Sequence, residues 1–488
     1  MKKILVVLSC GMLFLTSCKK DFLNTAPASG TFTADQAREI ASSSPASALK
    51  LQDASIKGIY AFMRQWNSLG SGNHDDFGQK AVDMGLDLMT EDMVQTSHHW
   101  MGFDYLLDNR EETYRRPLFL WNFYYKIIFN VNNLIDQIPG TVTDAELKSI
   151  RGQALALRAY SYHYLVRMFQ KKYKGNENAL GVPVYTGPGF EGKPRNKVSE
   201  VYSQIVADLN EAVGLLQGWA RPSKEQIDQK VAYSFLANVY LDMENWSEAE
   251  SAANKARQGY TLMSAAQYQD GFADISNPEW MWGQVITSQT TTIYASFFSQ
   301  MDNTSPGYAG ALAIYKLIDK KLYDQIPTGD VRKLVFNDVA KTINTKLPAY
   351  AQLKFKDPGG FTGDYIFQRV AEMYLIEAEA QARQGKTAQA QQTLFDLISK
   401  RNPGYVKSTA TGTALIDEIW LQKRIELWGE GRAYFDLKRL DKGIDRRNSN
   451  HRADAVLVVP AGDVKWTYKI PLREFESNPN MPKSEQNP

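Results

Sequence analysis

Cysteine is almost absent from this sequence, which contains only Cys10 and Cys18. Both lie near the N-terminus, and Cys10 is part of the apolar run Ile4–Leu15. Small exported proteins often depend on several disulfides, and structural zinc sites commonly use cysteine thiolates. Because no cysteine follows Cys18, the rest of the chain can form neither a disulfide nor a cysteine-ligated metal site, and we expect a hydrophobic core to stabilise it.

Net charge is also nearly absent. The 56 Lys and Arg residues exceed the 54 Asp and Glu residues by only two, and Lys2 and Lys3 account for that excess. Proteins that bind nucleic acid concentrate positive charge to neutralise phosphates, so no nucleic-acid partner is expected. After the N-terminal run, no segment is apolar for long enough to cross a bilayer.

Catalytic motifs are missing as well. The sequence has 5 His residues, and neither a zinc-protease helix motif, a phosphate-binding glycine loop nor a nucleophile elbow occurs. The acidic pairs Asp75-Asp76 and Glu91-Asp92 leave a glycosidase as the least favoured alternative. We expect no catalytic residue, no cofactor and no metal ligand, and leave open a structural calcium ion among the loop acids.

The N-terminus has the pattern of an export signal. Lys2 and Lys3 precede the apolar run, which is too short to span a membrane. The following Leu15-Thr16-Ser17-Cys18 resembles a lipobox, the motif in which the cysteine is lipidated and the chain is cut before it. We therefore interpret residues 1–17 as a lipoprotein signal peptide, 18–41 as a tether lipidated at Cys18, and 42–488 as a single domain.

Two stretches with matching patterns predict a helical scaffold. In Ala232–Gly259, apolar residues recur at helical spacing on either side of a turn at Asp242–Asn245. The spacing of Ala237, Ala249 and Ala256 returns in Ala378, Ala390 and Leu397, with Gly385 in the second turn. These paired helices resemble tetratricopeptide-repeat hairpins. The predicted fold is mainly α-helical, with such hairpins as scaffold, a loop-rich insertion at about 263–364 and a few short strands.

Aromatic residues in polar loops are the candidate ligand contacts. Sugar rings stack on Trp and Tyr while their hydroxyls bond to polar side chains, whereas aromatics in a helical stripe usually belong to the core. Trp100, with His98, His99 and Asp104 nearby, is the best candidate. Trp66 with Asn73 comes next. A third group lies in the insertion, and we expect one or two of its members to contact ligand: Trp280, Trp282, Tyr294 and Tyr308.

Several segments together resemble the SusD-like (RagB/SusD) family of outer-membrane nutrient-binding lipoproteins, and they cover nearly the whole chain. The most specific is Glu430–Arg439 with the preceding Arg424, Glu426 and Leu427. Gln422-Lys423 departs from the family, which usually has an acidic residue before this arginine. The other matching segments are Trp121–Asp136, Arg158–Tyr160 with Leu165–Arg167, Gly181–Pro183, Tyr374–Ala380, and Ile470-Pro471 with Glu474 and Asn478-Pro479.

The resemblance implies a non-catalytic protein that is anchored by lipid to the outer membrane and faces the cell exterior. It would capture oligosaccharide and pass it to a SusC-like TonB-dependent β-barrel transporter. Two alternatives remain: the same scaffold could bind peptides or another nutrient, or it could be a surface interaction protein without a small ligand. Glu430, Arg432, Asp436 and Arg439 look like a site, but we interpret them as structural ion pairs.

Overall fold

The computed structural model describes residues 43–488 together with Gln36 and Glu39. Cys18 and the predicted signal peptide lie outside the described residues. The chain divides into two units, Met1–Ala54 and Ser55–Pro488, and every feature of the candidate site belongs to the second. In the first unit, the hydroxyl of Ser44 accepts a hydrogen bond of 3.1 Å from the backbone N–H of Ser47.

Long helices form most of the described chain, and shorter helices and strands connect them. The helices are α1 (Pro45–Phe62), α2 (Gln79–Leu88), α3 (Gly102–Tyr105), α4 (Arg115–Gln137), α5 (Ala145–Phe169), α6 (Val198–Leu215), α7 (Gln229–Asp242), α8 (Trp246–Arg257), α9 (Ala265–Tyr268), α10 (Phe297–Met301), α11 (Tyr308–Ala311), α12 (Lys320–Asp324), α13 (Val370–Arg383), α14 (Thr387–Ile398), α15 (Gly412–Glu426), α16 (Ala433–Arg439) and α17 (Leu472–Ser477). The strands are β1 (Met93–Gln95), β2 (Trp280–Gln284), β3 (Lys316–Ile318), β4 (Tyr365–Arg369), β5 (Ile444–Asp445) and β6 (Val458–Val459).

The predicted scaffold of helical hairpins is confirmed. Helices α4 to α8 pack each against the next, α8 packs against α13, and α13 contacts both α14 and α15. The small residues Ala249 and Ala256 are fully buried, as are Ala378 and Ala390 in the second hairpin. They let the helix backbones approach closely, so the repeated alanine spacing encodes the hairpin. Among the described residues, no helix is both long and apolar enough to cross a membrane.

Three antiparallel strand pairs hold the loops on this scaffold: β1 with β3, β2 with β4, and β5 with β6. The prediction of loops and short strands between the hairpins is confirmed, since β2, β3 and the four short helices α9 to α12 occur there. The pairing of Gln95 with Lys316 has a consequence for the site. It brings the loop after β1 beside the segment before β3, which carries Tyr308.

Buried ion pairs join the hairpins to the C-terminal segments. Arg369 at the end of β4 reaches Glu279 at 2.7 Å, Glu426 at 2.6 Å and Glu430 at 2.8 Å, and the side chains of Arg369, Glu279 and Glu426 are 0% exposed. Arg401 also donates to Glu279 and Glu426. A buried charge without such partners would be strongly destabilising.

Glu430, Arg432, Asp436 and Arg439, which look like a site in the sequence, therefore form structural ion pairs in the core, as interpreted from the sequence. Arg432 donates to Glu372 at 3.2 Å. Asp436 and Arg439 pair with each other at 2.7 Å on one face of α16, and Arg439 also donates to Glu379. Gly431, at φ 79°, must remain glycine because an added Cβ would lie 2.5 Å from Cβ of Asp83.

Candidate functional site

Five rings from three separate loops meet at one place on the surface. We call Trp66, His74, His99, Trp100 and Tyr308 the aromatic cluster. Its members come from the loop between α1 and α2, the turn after β1, and the start of α11. The sequence predicted four of them, and the structure brings those four together. It also adds His74, which sequence reasoning missed.

His74 lies at the centre of the aromatic cluster. Its ring centroid is 5.3 Å from that of Trp66, 5.7 Å from Trp100 and 5.8 Å from Tyr308. The plane of its imidazole is inclined by only 20° to the Trp100 ring, and its Nδ1 lies 2.8 Å from the hydroxyl of Tyr308. Its position next to Asn73, in a loop rich in Gly, Asn and Asp, was the signal that could have found it.

The loop that carries Trp66 and His74 is fixed from within. Asp76 is fully buried and accepts hydrogen bonds from the Ser68 hydroxyl and the Leu69 backbone N–H. Burial raises the pKa of Asp76, and the bonds from Ser68 and Leu69 oppose that shift. The indole N–H of Trp66 donates to the carbonyl of Asn73 at 2.9 Å. The Trp66 ring is thereby held 39% exposed beside His74.

The turn that carries His98, His99 and Trp100 is fixed by β1. Gln95 donates to the carbonyls of Ser97 at 3.0 Å and Trp100 at 3.4 Å. The chain then turns sharply, with Met101 at φ 61°. Gly102 follows, where an added Cβ would lie 2.6 Å from Nδ1 of His98. This glycine therefore allows the histidine to fold over the start of α3.

Two polar atoms of the aromatic cluster lack partners. Nε1 of Trp100 and Nδ1 of His99 are covered from solvent and have no hydrogen-bond partner among the described residues. Most buried polar atoms in native proteins are hydrogen-bonded. Burial, Lys316 and His98 lower the pKa of His99, which favours the neutral form of its ring. The cluster thus combines apolar ring faces with two covered polar atoms whose hydrogen-bonding capacity is unused.

A cleft of about 790 Å³ adjoins the aromatic cluster, shares His99 and Trp100 with it, and is also lined by Asn73. Its wall contains His98, Phe103 and Tyr114, of which Phe103 is 57% and Tyr114 is 41% exposed. The rings of His98 and Phe103 meet edge to face at 5.1 Å. This volume is in the range of small-molecule sites, which combine apolar walls with a few polar groups.

Asp104 forms the floor of this cleft and is not a surface contact. Its side chain is 3% exposed and lies 2.5 Å from Nη2 of Arg116. Asn109 donates to its other carboxylate oxygen at 2.6 Å. Burial raises the pKa of Asp104 and the charge of Arg116 opposes that shift. The expectation that Asp104 contacts ligand is therefore corrected: it anchors the wall through α3 and α4.

The prediction for Trp280 and Trp282 is wrong. Both residues lie in β2 and are 0% exposed. Trp282 donates from Nε1 to the carbonyl of Glu225 at 3.1 Å, and its ring packs 5.0 Å from that of Phe367. A polar loop on the N-terminal side of the strand made these tryptophans look exposed in the sequence. Pairing of β2 with β4 instead places them in the core.

Tyr294 and Tyr308, the other members of that group, do lie at the surface. Tyr294 is 50% exposed, and its ring centroid is 6.1 Å from Tyr308 and 5.9 Å from Phe361. The line of surface rings thus continues from the aromatic cluster to Tyr294, which packs against Phe361, itself only 6% exposed. Among the described residues, no group of three or more His, Cys, Asp or Glu side chains could hold a metal ion.

Comparison with known families agrees with this architecture. A model of SusD-like proteins, described as "Starch-binding associating with outer membrane", matches residues 55–241. A second model, described as "SusD family", matches residues 325–488. The two matches lie on either side of β2 and of Tyr294 and Tyr308.

Individual SusD-like proteins are also similar to this chain in sequence and structure. The SusD-like protein P2 of Formosa agariphila is 24% identical over 413 residues, which are 74% of this chain and 78% of that protein. A crystal structure of a SusD-like carbohydrate binding protein from Bacteroides vulgatus has a TM-score of 0.80 and 26% identity, covering 90% of this chain and 98% of the other. A laminarin binding SusD-like protein shares the fold, with a TM-score of 0.68, 21% identity and coverage of 90% and 99%.

Proposed function

The chain belongs to the SusD/RagB family of non-catalytic binding proteins, and we propose that it captures glycan at the aromatic cluster and its adjoining cleft. The supporting observation is the convergence of exposed or half-buried rings from three loops on one surface. Sugar rings present apolar faces that stack on such side chains, while hydroxyls bond to polar groups such as Asn73 and His98.

The proposal includes the place where the protein works. One matching family is described as associating with the outer membrane. We propose that lipid on Cys18 anchors the chain there, facing the cell exterior, and that the captured oligosaccharide passes to a SusC-like TonB-dependent transporter. The resemblance of residues 15–18 to a lipobox supports the anchor, and family membership supports the transporter.

The test of binding is a glycan-array screen of the chain from residue 19 onward, followed by calorimetry on each hit. Binding to glycans of one linkage class supports the proposal. A blank array together with binding of peptides would contradict it and favour a peptide-binding protein on the same scaffold. Co-purification of the full-length chain with a β-barrel transporter from detergent-solubilised outer membranes tests the partner.

A further inference from the structure

The charged side chains of the cleft are almost all paired with one another. Three carboxylates and two guanidinium groups line it, from Asp75, Asp104, Asp108, Arg115 and Arg116. Arg116 lies 2.5 Å from Asp104 and 3.5 Å from Asp75, and Arg115 is hydrogen-bonded to Asp75. The cleft therefore holds one more negative than positive side chain, leaving its histidines aside.

The unpaired charge is Asp108. Its side chain is exposed, and no ion pair to it occurs in the part of the chain that the structure describes. The cations, by contrast, are already paired with carboxylates. The side chain of Arg116 is only 6% exposed, and Arg115, which is 31% exposed, is hydrogen-bonded to Asp75 through Nη2 while its Nη1 is covered from solvent. Burial and the nearby Lys316 lower the pKa of His99, which lines the same cleft, and so disfavour a positive charge on its ring.

These facts restrict the ligand. Carboxylate and sulfate groups are usually recognised by unpaired Arg or Lys side chains. Here an anionic ligand would meet the free carboxylate of Asp108, could gain Arg115 only in competition with Asp75, and could gain Arg116 only by breaking its buried ion pairs. Breaking a buried pair is strongly unfavourable because it leaves an uncompensated charge. A neutral hydroxyl group, in contrast, can donate a charge-assisted hydrogen bond to Asp108.

We propose that the ligand of this cleft is an uncharged glycan and that glycans rich in uronic acids or sulfate esters are excluded. This inference rests on the proposed function and narrows it to one chemical class. Recognition comes from ring stacking and hydroxyl hydrogen bonds, without ion pairing between protein and sugar.

The experiment compares matched polymers by calorimetry. Neutral polysaccharides (laminarin, starch, galactomannan and xylan) are titrated first, beside alginate, polygalacturonate and a sulfated galactan. For a neutral polymer with primary hydroxyls that binds, the same polymer with those hydroxyls oxidised to carboxylates is then tested. We expect the oxidised polymer to bind at least about tenfold more weakly at low salt, the scale of one unfavourable charged contact.

Two further measurements separate charge from shape. The affinity for the neutral polymer should change less than about twofold between about 50 and 500 mM NaCl, because screening acts only between charges. The Asp108→Lys variant, checked for folding by circular dichroism, should bind the oxidised polymer at least about fivefold more tightly than the unaltered chain does. Asp108→Asn should give an intermediate gain.

Equal or tighter binding of an anionic glycan, abolished by Trp100→Ala, would overturn the inference while leaving the proposed function intact. Failure of both Asp108 variants to improve binding of the oxidised polymer would also overturn it. Binding of neither polymer class would overturn the proposed function, and the inference with it.

Discussion

Replacing Glu430 with Gln tests the buried ion pairs that join the hairpins to the C-terminal segments. Glu430 accepts hydrogen bonds from Arg369 at 2.8 and 2.9 Å and from Lys354 at 2.7 Å. Burial alone would raise the pKa of Glu430, but the charges of Arg369 and Lys354 outweigh it and hold the pKa at about 2 instead of 4.5. Glutamine keeps the shape of the side chain and removes its charge, so the change isolates the electrostatic contribution.

The size and sign of the change in stability follow from the lowered pKa of Glu430. Because the folded-state value lies below the unfolded-state value, the contribution to stability is fully present above about pH 4.5 and is lost as the pH falls toward about 2. A depression of this size corresponds to about 3 kcal/mol of unfolding free energy at pH 7. The cost of Glu430→Gln should therefore be about 3 kcal/mol at pH 7 and smaller by about 2 kcal/mol at pH 3.

The assay is urea unfolding followed by tryptophan fluorescence, for both proteins at each pH. Other buried carboxylates, such as Asp87 with a pKa raised by burial to about 7, also change stability with pH. Subtracting the unfolding free energy of the variant from that of the unaltered protein at each pH cancels the contribution of those other carboxylates.

Asp417→Asn is the control, because Asp417 is 55% exposed and pairs with Lys442 at 3.4 Å. Its cost in unfolding free energy should stay below about 1 kcal/mol. A cost for Glu430→Gln that is the same at both pH values would refute the reasoning.

Three other predictions concern the hairpin turns, the length of the ligand and the anchor. Glu244 and Gly385 occupy matching turn positions at φ 58° and 76°, a backbone conformation that favours glycine. Glu244→Gly should therefore raise the unfolding free energy measured in urea by about 1 kcal/mol, and Gly385→Ala should lower it by about 1 kcal/mol. Opposite signs would contradict the assigned turns. Neighbouring rings from Trp100 through His74 and Tyr308 to Tyr294 are 5.7 to 6.1 Å apart, so calorimetric affinity should rise with oligosaccharide length over about three or four sugar units. Equal affinity for a disaccharide would refute a continuous line. Cys18→Ala should move the protein from the membrane to the soluble fraction, because we propose that its lipid is the only anchor, and unchanged fractionation would contradict that anchor.

The hairpins could be predicted from the sequence because their information is local. Alanine at the same spacing in α7–α8 and α13–α14 marks where helices pack closely, and each stripe depends only on neighbours along the helix. The positions of the short strands, in contrast, depend on pairing with segments far away along the chain. Strand β3, for example, forms because Lys316 to Ile318 pair with β1, more than 200 residues earlier in the chain.

The same difference between local and long-range information explains which residues of the candidate site could be predicted. Trp66, His98, His99 and Trp100 were found because they stand in polar loops, where an aromatic side chain needs a reason to be exposed. Trp280 and Trp282 also follow a polar loop, and the same reasoning predicted them as ligand contacts. They are buried because β2 pairs with β4, and this pairing cannot be recognised from their local sequence. His74 was missed because its importance comes from contacts with rings far away along the chain, such as that of Tyr308.

The most direct test of the central claim is calorimetric titration of one bound glycan into the unaltered chain, Trp100→Ala and Phe190→Ala. Phe190 is the matched control, because it is 91% exposed and packs against Phe129 in a different groove. Loss of an aromatic anchor from a binding site typically costs at least about 1 kcal/mol, or about fivefold in Kd. We predict at least that loss for Trp100→Ala and an unchanged Kd for Phe190→Ala. Unchanged binding by a folded Trp100→Ala protein would contradict the assignment of the aromatic cluster as the glycan site.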